Sequence, residues 1–410
     1  MAARVPGSAP VLGQRALNRA LLARQMLLER SPMPVAQAVG QLVGLQAQAP
    51  WSPYHALWSR LAGFDPYALG RLLTERRVVR IVIMRGTVHL VTADDCLFLR
   101  PLHADFLARG LATSTWARGL EGLDVDAVVA EGRALVEAEP LPFGELGARL
   151  ARTWPDRDPA TLAQVVRAMA PLVQVPPRAV WGRSGQVVVT TAEHWLGRPL
   201  DDAASLDDLV LRYLAAFGPA SVMDVQAWSG LTRLRAVADR LGDRVVRYRN
   251  EAGRELLDLP DAPRPDPDTP APVRFLPDFD NVLLSHAERT RIVDDPVRRR
   301  LQRVNGVLPG TVLVDGRVAA IWSIERAKGR ATLVVTPFRG LGRANGADVA
   351  DEGGRLLAFA TADAADHEVR ITDPDEADNR GRPADPTRGG VTRPRRTGAG
   401  APPATTPAPE

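Results

Sequence analysis

The chain has 410 residues, 45% hydrophobic and 24% charged, a balance that suits two or three globular domains. The single cysteine, Cys96, excludes an internal disulfide and any zinc site built from several thiolates. No run of 18 apolar residues is present to span a membrane, and no apolar stretch near Met1 resembles a secretory signal, so a cytoplasmic protein is expected. Net charge is +4, and of the 52 basic residues only Lys328 is a lysine. Arginine forks bind phosphate in bidentate fashion, which suits a nucleic-acid surface, although a GC-rich genome produces the same bias.

Residues 1–13 carry no periodic pattern and read as loose. From about residue 14, one arrangement recurs three times: a helix, a proline-marked turn, two short helices, then strand–turn–strand. In the first copy Val35, Val39, Leu42 and Val43 follow Pro34 at helical spacing, and Leu69, Leu72 and Leu73 mark a further helix. Arg77–Thr92 then reads as two strands around Arg85-Gly86. The second copy begins near Val125. Its short helices carry Phe143, Leu146 and Leu150, then Leu162, Val165 and Val166, and its hairpin joins Leu172–Val175 to Gln186–Thr191. The third runs Leu206–Phe217, then Val222, Val225 and Trp228 after Gly218-Pro219, then Leu231, Leu234, Val237 and Leu241, with Arg244–Arg249 opening its hairpin.

A Pro/Asp-rich linker is predicted at Asp261–Pro272. Beyond it lie strand candidates VRFLP, NVLLS, GTVLV, RVAAIWSI, ATLVV and HEVRIT, with a helix at about Val349–Thr361 and a hairpin signal at Asp315-Gly316. The last 40 residues hold eight prolines and read as a disordered tail. The expected fold class is α+β, with three tandem winged-helix modules at residues 14–95, 96–200 and 201–260. A small β-rich, barrel-like domain at 273–371 and the tail at 372–410 complete it. A helix-turn-helix that inserts one helix into the major groove makes DNA the natural partner, and modules of this size also serve as protein-contact units.

Four segments carry a resemblance: Val43–Leu61 (VGLQAQAPWSPYHALWSRL), Val82–Val91 (VIMRGTVHLV), Leu276–Val293 (LPDFDNVLLSHAERTRIV) and Val304–Trp322 (VNGVLPGTVLVDGRVAAIW). In this order they resemble the AlkZ/YcaQ family of winged-helix DNA glycosylases, over roughly residues 14–370. The resemblance implies a C-shaped molecule around a DNA channel. It also implies hydrolysis of the N-glycosidic bond of N7-alkylated purines, extending to interstrand cross-links. The family motif is Gln-apolar-Gln in the AlkZ-like branch and Gln-apolar-Asp in the YcaQ-like branch, so Gln46-Ala47-Gln48 sides with AlkZ and makes Gln46 and Gln48 the expected catalytic pair.

The chemistry is consistent with amides. An N7-alkylated purine is already cationic and departs without a strong acid. The enzyme must then orient a water beneath C1′ and offer dipoles to an oxocarbenium-like transition state, and a glutamine carbonyl serves as acceptor for both. On a helix, residues i and i+2 point about 200° apart. Gln46 is predicted to continue the apolar face of Leu42 and Val43, so both glutamines share a site only if the helix ends between them, as Pro50 suggests. Outside the family context such glutamines read as polar caps of a helix C-terminus. Trp51 and Tyr54 line the site or pack the next helix, with packing favoured.

Expected DNA contacts are Arg85 and His89 at the first hairpin, and His286, Arg289 and Arg291, which open a stretch of six arginines within 289–303. His286 reads equally as a buried, hydrogen-bonded histidine. No cofactor and no metal site is expected, and the partner is double-stranded DNA carrying alkylated purines, bound by a monomer. The competing reading is a non-enzymatic winged-helix DNA-binding protein, such as a transcriptional regulator.

Overall fold

The computed structural model describes residues 9–302 and 308–374. In chain order, β1 (Val11–Leu12), α1 (Gln14–Arg24), α2 (Val35–Gln41), β2 (Leu45–Gln46), α3 (Ser52–Arg60) and α4 (Pro66–Thr74) lead to the hairpin β3 (Val78–Val82) and β4 (Val88–Thr92). The start of α4 is encoded locally: Asp65 accepts the Tyr67 N–H at 2.9 Å, and Pro66 occupies the first turn, where no donor is needed. Next come α5 (Ala93–Leu102), α6 (Ala104–Ala112), α7 (Val125–Ala138), β5 (Leu141–Pro142), α8 (Phe143–Leu150), α9 (Pro159–Met169), β6 (Leu172–Gln174), β7 (Val188–Thr191) and α10 (Ala192–Leu196). A third stretch holds α11 (Leu206–Phe217), α12 (Val222–Ser229), α13 (Arg235–Arg240), β8 (Val246–Asn250) and β9 (Glu255–Asp258). Ser221 and Asp224 close a reciprocal capping box on α12.

The two first hairpins do not stay separate. β3 pairs antiparallel with β6 through Arg80↔Gln174 and Ile81↔Val173, giving one six-stranded sheet in the order β2-β4-β3-β6-β7-β5. β8 and β9 form a second sheet, on which β1 lies parallel, so Val11 and Leu12 are structured rather than loose as expected.

The C-terminal part comprises β10 (Arg274–Leu276), α14 (Asp295–Gln302), β11 (Gly310–Val314), β12 (Arg317–Ala327), β13 (Arg330–Pro337), α15 (Arg343–Ala360) and β14 (Asp366–Ile371). Its sheet runs β10-β11-β12-β13-β14 and is open, not barrel-like as expected. Instead of closing, it is covered by α15, whose Val349, Leu356 and Leu357 pack with Phe275, Val312, Leu333 and Val335. α15 is a crossover between β13 and the parallel β14, and it starts six residues earlier than the predicted helix. The Asp315-Gly316 turn has positive φ at both residues, 45° and 76°, the geometry of a tight hairpin.

Two further expectations change. The run NVLLS is not a strand: Asn281–Leu283 form a 3-10 turn, because Phe279 adopts a left-handed φ of 57° and the Asp280 side chain caps Val282 N–H at 3.0 Å. Asp261–Pro272 is not a free linker either. Arg19 donates to Thr269 O at 2.6 Å and Arg24 to Pro263 O at 3.3 Å, which straps the segment across α1. One core runs from the first hairpin (Ile81, Ile83, Val91) through Tyr213, Phe217 and Trp228 to Leu276, Val282 and Ile292, so the C-terminal part is packed against the rest. Of the predicted tail, residues 375–410 lie outside the described residues, as do Arg303 and residues 1–8. Among the described residues no helix is long and apolar enough to cross a membrane.

Candidate active site

The Gln46-Ala47-Gln48 tripeptide does not end a helix. α2 stops at Gln41, and the chain reverses through Val43 and Gly44, with φ of 51° and 88°. A Cβ on Gly44 would lie 2.6 Å from Val91 Cγ1 and 3.0 Å from Leu90 O, so only glycine permits this approach. Leu45 and Gln46 then pair with Leu90 and His89 at the sheet edge, and Ala47 N–H donates to Val88 O at 2.7 Å. The helical face predicted for Gln46 is thus corrected to a strand edge, where Gln46 and Ala47 are buried and Gln48 lies in the exposed bend that follows.

The amides are held by donors that cannot reverse roles. Arg85 sits in the β3–β4 turn with φ of 56°. This left-handed turn sends its guanidinium inward, where Nη2 donates to Gln46 Oε1 at 2.8 Å and Asn281 Oδ1 at 3.0 Å, and Nη1 to Trp228 O at 2.5 Å. Gln48 Oε1 accepts the Val88 N–H at 3.2 Å, and Arg80 Nη2 donates to Ala47 O at 2.6 Å. Arginine and backbone N–H only donate, so the oxygen of each amide is identified. Each oxygen retains a second lone pair, and neither Nε2 has an acceptor among the described residues. Gln46 is 7% exposed, while Gln48 is exposed.

The surroundings are cationic. Burial pushes the Arg85 guanidinium down to about 10, with the Arg289 charge adding to the effect. Arg80 falls to about 10 through burial and then Arg178, and its Nε and Nη1 have no hydrogen-bond partner among the described residues. His89 is buried. Its Nδ1 donates to Thr87 O at 3.0 Å, which leaves Nε2 bare, 3.4 Å from Arg85 Nη2. Burial and then the Arg85 charge hold the ring neutral. No carboxylate hydrogen-bonds either glutamine among the described residues.

The expected DNA contacts are largely corrected. Arg85 and His89 support the tripeptide from within. His286 is buried, with Nε2 donating to Phe217 O at 3.1 Å and Nδ1 accepting from Ser285 at 3.0 Å. Arg291 is buried and donates to Pro219 O at 2.7 Å. Neither can meet phosphate from there. Arg289 is half-buried, donates to His286 O at 3.1 Å and lies near Arg85. Tyr54 is a core residue with its hydroxyl on Ala179 O, while Trp51, just past Gln48, keeps 39% of its surface exposed. Sequence reasoning missed Arg80 and Asn281. Asn281 lay within the quoted LPDFDNVLLSH segment, and Arg80 within the strand alternation of the first hairpin.

Three buried histidines and the half-buried His55 make the fold acid-sensitive. Burial, as the largest cause, lowers His55 and His103 to about 4 and His286 to about 3, and holds His89 well below its usual value. In the unfolded chain they protonate near 6.5, so the unfolded state binds more protons between about pH 6.5 and 4. Stability is therefore full above about pH 6.5 and falls as pH drops toward 4, by up to about 1.4 kcal/mol per pH unit per histidine. Urea midpoints at pH 7.5 and 5 measure this. An unchanged midpoint would contradict burial of the neutral rings.

The chain belongs to the AlkZ-like DNA glycosylase family, whose profile, described as DNA glycosylase AlkZ-like, matches residues 39–359. It is thus an enzyme acting on N-glycosyl bonds of DNA. It is similar to a Streptomyces sahachiroi protein named interstrand DNA cross-link repair glycosylase, 26% identical over 344 residues, which are 77% of this chain and 88% of that protein. The solved structure of Streptomyces sahachiroi DNA glycosylase AlkZ matches with a TM-score of 0.72 at 22% identity, across 88% of this chain and 100% of that one. At that identity the likeness is one of fold.

Proposed function

We propose that this protein is a monofunctional glycosylase for N7-alkylated purines in double-stranded DNA, with Gln46 and Gln48 as its catalytic residues. Monomeric action and a reach extending to interstrand cross-links are part of this reading. The name of the Streptomyces sahachiroi relative supports the cross-link activity. The observation that carries the proposal is the pair of amides at the end of β2 and in the bend just past it, backed by arginines, with no carboxylate bonded to it among the described residues. The C1′–N9 bond breaks with its electron pair moving to the purine, which neutralises the alkyl cation. Water attacks C1′ and releases a proton to solvent. The free lone pair of each glutamine oxygen orients that water and faces the developing positive charge.

The helix-and-hairpin stretches are assigned as winged helices at 14–95, 96–200 and 201–260, followed by the sheet domain at 273–371. Their helices and hairpins supply the DNA-facing surface, with Arg289 the remaining phosphate contact. The regulator alternative is disfavoured by family membership. Lyase chemistry needs an amine for a Schiff base, and Lys328, the single lysine, sits exposed in the β12–β13 turn. A duplex carrying one N7-methylguanine is therefore expected to yield an abasic strand that stays intact until alkali is added. A borohydride-trapped protein–DNA adduct, lost in Lys328→Ala, would contradict this.

A further inference from the structure

We propose that Arg85 and Asn281 are positioning residues that fix which end of the Gln46 amide faces the substrate. The terminal torsion of a glutamine is broad and nearly two-fold, so an unheld amide presents oxygen and nitrogen interchangeably. Here Arg85 removes that freedom by donating to Gln46 Oε1 at 2.8 Å. Arg85 is itself held by acceptors from Gln46, Asn281 and Trp228, with the bare His89 Nε2 a fourth at 3.4 Å. Asn281 acts at both ends of the arrangement. Its Oδ1 accepts the hydrogen bond from Arg85 Nη2, and its Nδ2 donates to Gly44 O at 3.2 Å, at the glycine turn that delivers Gln46 to the sheet edge. Gly230, at the end of α12, keeps this approach open: a Cβ there would lie 2.8 Å from the Phe106 ring and 3.3 Å from Arg85 N. The C-terminal part and the third helical stretch thus each contribute an acceptor to a site whose reactive groups lie in the first stretch. A surface phosphate contact would not need these internal acceptors.

This inference rests on the catalytic reading of Gln46, and the test separates the two. Single-turnover base release from a duplex carrying one N7-methylguanine is measured at increasing enzyme for wild type, Arg85→Met, Asn281→Leu, Gln46→Ala and the Arg85→Met/Gln46→Ala double variant. Arg85→Met and Asn281→Leu should each lower the saturating rate about 100-fold, the loss typical of a small misplacement. The enzyme concentration at half-saturation should stay within about threefold of wild type, since ground-state binding is not what is removed. The double variant should be no slower than Gln46→Ala, because Arg85 acts only through that amide. Losses that multiply, or weaker binding at an unchanged saturating rate, would overturn the positioning role while leaving Gln46 catalytic. A wild-type rate in Gln46→Ala would overturn both readings. Circular dichroism of each variant guards against misfolding, and Asn281→Leu tests the role independently should Arg85→Met not fold.

Discussion

Gln46→Ala and Gln48→Ala are each expected to slow single-turnover release of an N7-alkylated base by about 10²–10³, the usual loss when one preorganised dipole is removed. Affinity for DNA should change little, because phosphate contacts dominate it and neither glutamine carries charge. The two variants differ in their structural consequence. Gln46→Ala leaves Arg85 with Asn281 and Trp228 as acceptors, so the half-buried cation keeps partners. Gln48→Ala frees only the Val88 N–H at the sheet edge. Gln48→Asp restores an acceptor at that position and should retain part of the activity. Near-normal rates in both alanine variants would remove the basis of the site.

Asp280→Ala is expected to destabilise the fold by about 3–5 kcal/mol, the cost of leaving one partner of a buried ion pair uncompensated. Arg60 and Asp280 are each 1% exposed and meet in a bidentate pair at 2.9 and 2.8 Å. Asp280 also caps the turn that holds Asn281. Urea unfolding monitored by tryptophan fluorescence gives the stability change. A replacement of both partners by apolar residues should cost much less than Asp280→Ala alone, since no charge is then stranded. A loss below about 1 kcal/mol in the single variant would place the pair in the class of exposed salt bridges and contradict its burial.

The hairpins were legible because their signals are local. Alternating Val and Ile around Arg85-Gly86, and apolar runs around Asp315-Gly316, sit within a dozen residues of their turns. The pairing of β3 with β6 joins residues more than 90 positions apart and has no such signal. The NVLLS run shows why short apolar stretches mislead: three consecutive apolar residues suit a strand or a packed turn equally, and Phe279 and Asp280 decide between them through backbone geometry and a cap. The candidate site was legible as three residues but not as a geometry. Gly44 lies next to the motif, yet its role depends on Val91 across the sheet. Arg85, His89 and Arg291 were expected at the DNA surface because charged and polar types usually lie there, and His286 was read equally as a DNA contact or a buried, hydrogen-bonded histidine. Each is instead turned inward by acceptors from distant segments: Trp228 O for Arg85, Phe217 O for His286 and Pro219 O for Arg291. His89 is set by its own strand, through Thr87 O.

Catalysis by amides alone requires a leaving group that already carries positive charge. The most direct test is therefore a comparison of base release by the wild-type protein from duplexes that differ only in one base. One carries N7-methylguanine, one uracil and one unmodified guanine, with the freed base quantified by mass spectrometry. Release is expected from the N7-methylguanine duplex, with an intact abasic strand left behind and no detectable product from the two neutral bases. Comparable release of uracil would show that the protein activates neutral leaving groups, which Gln46 and Gln48 cannot do.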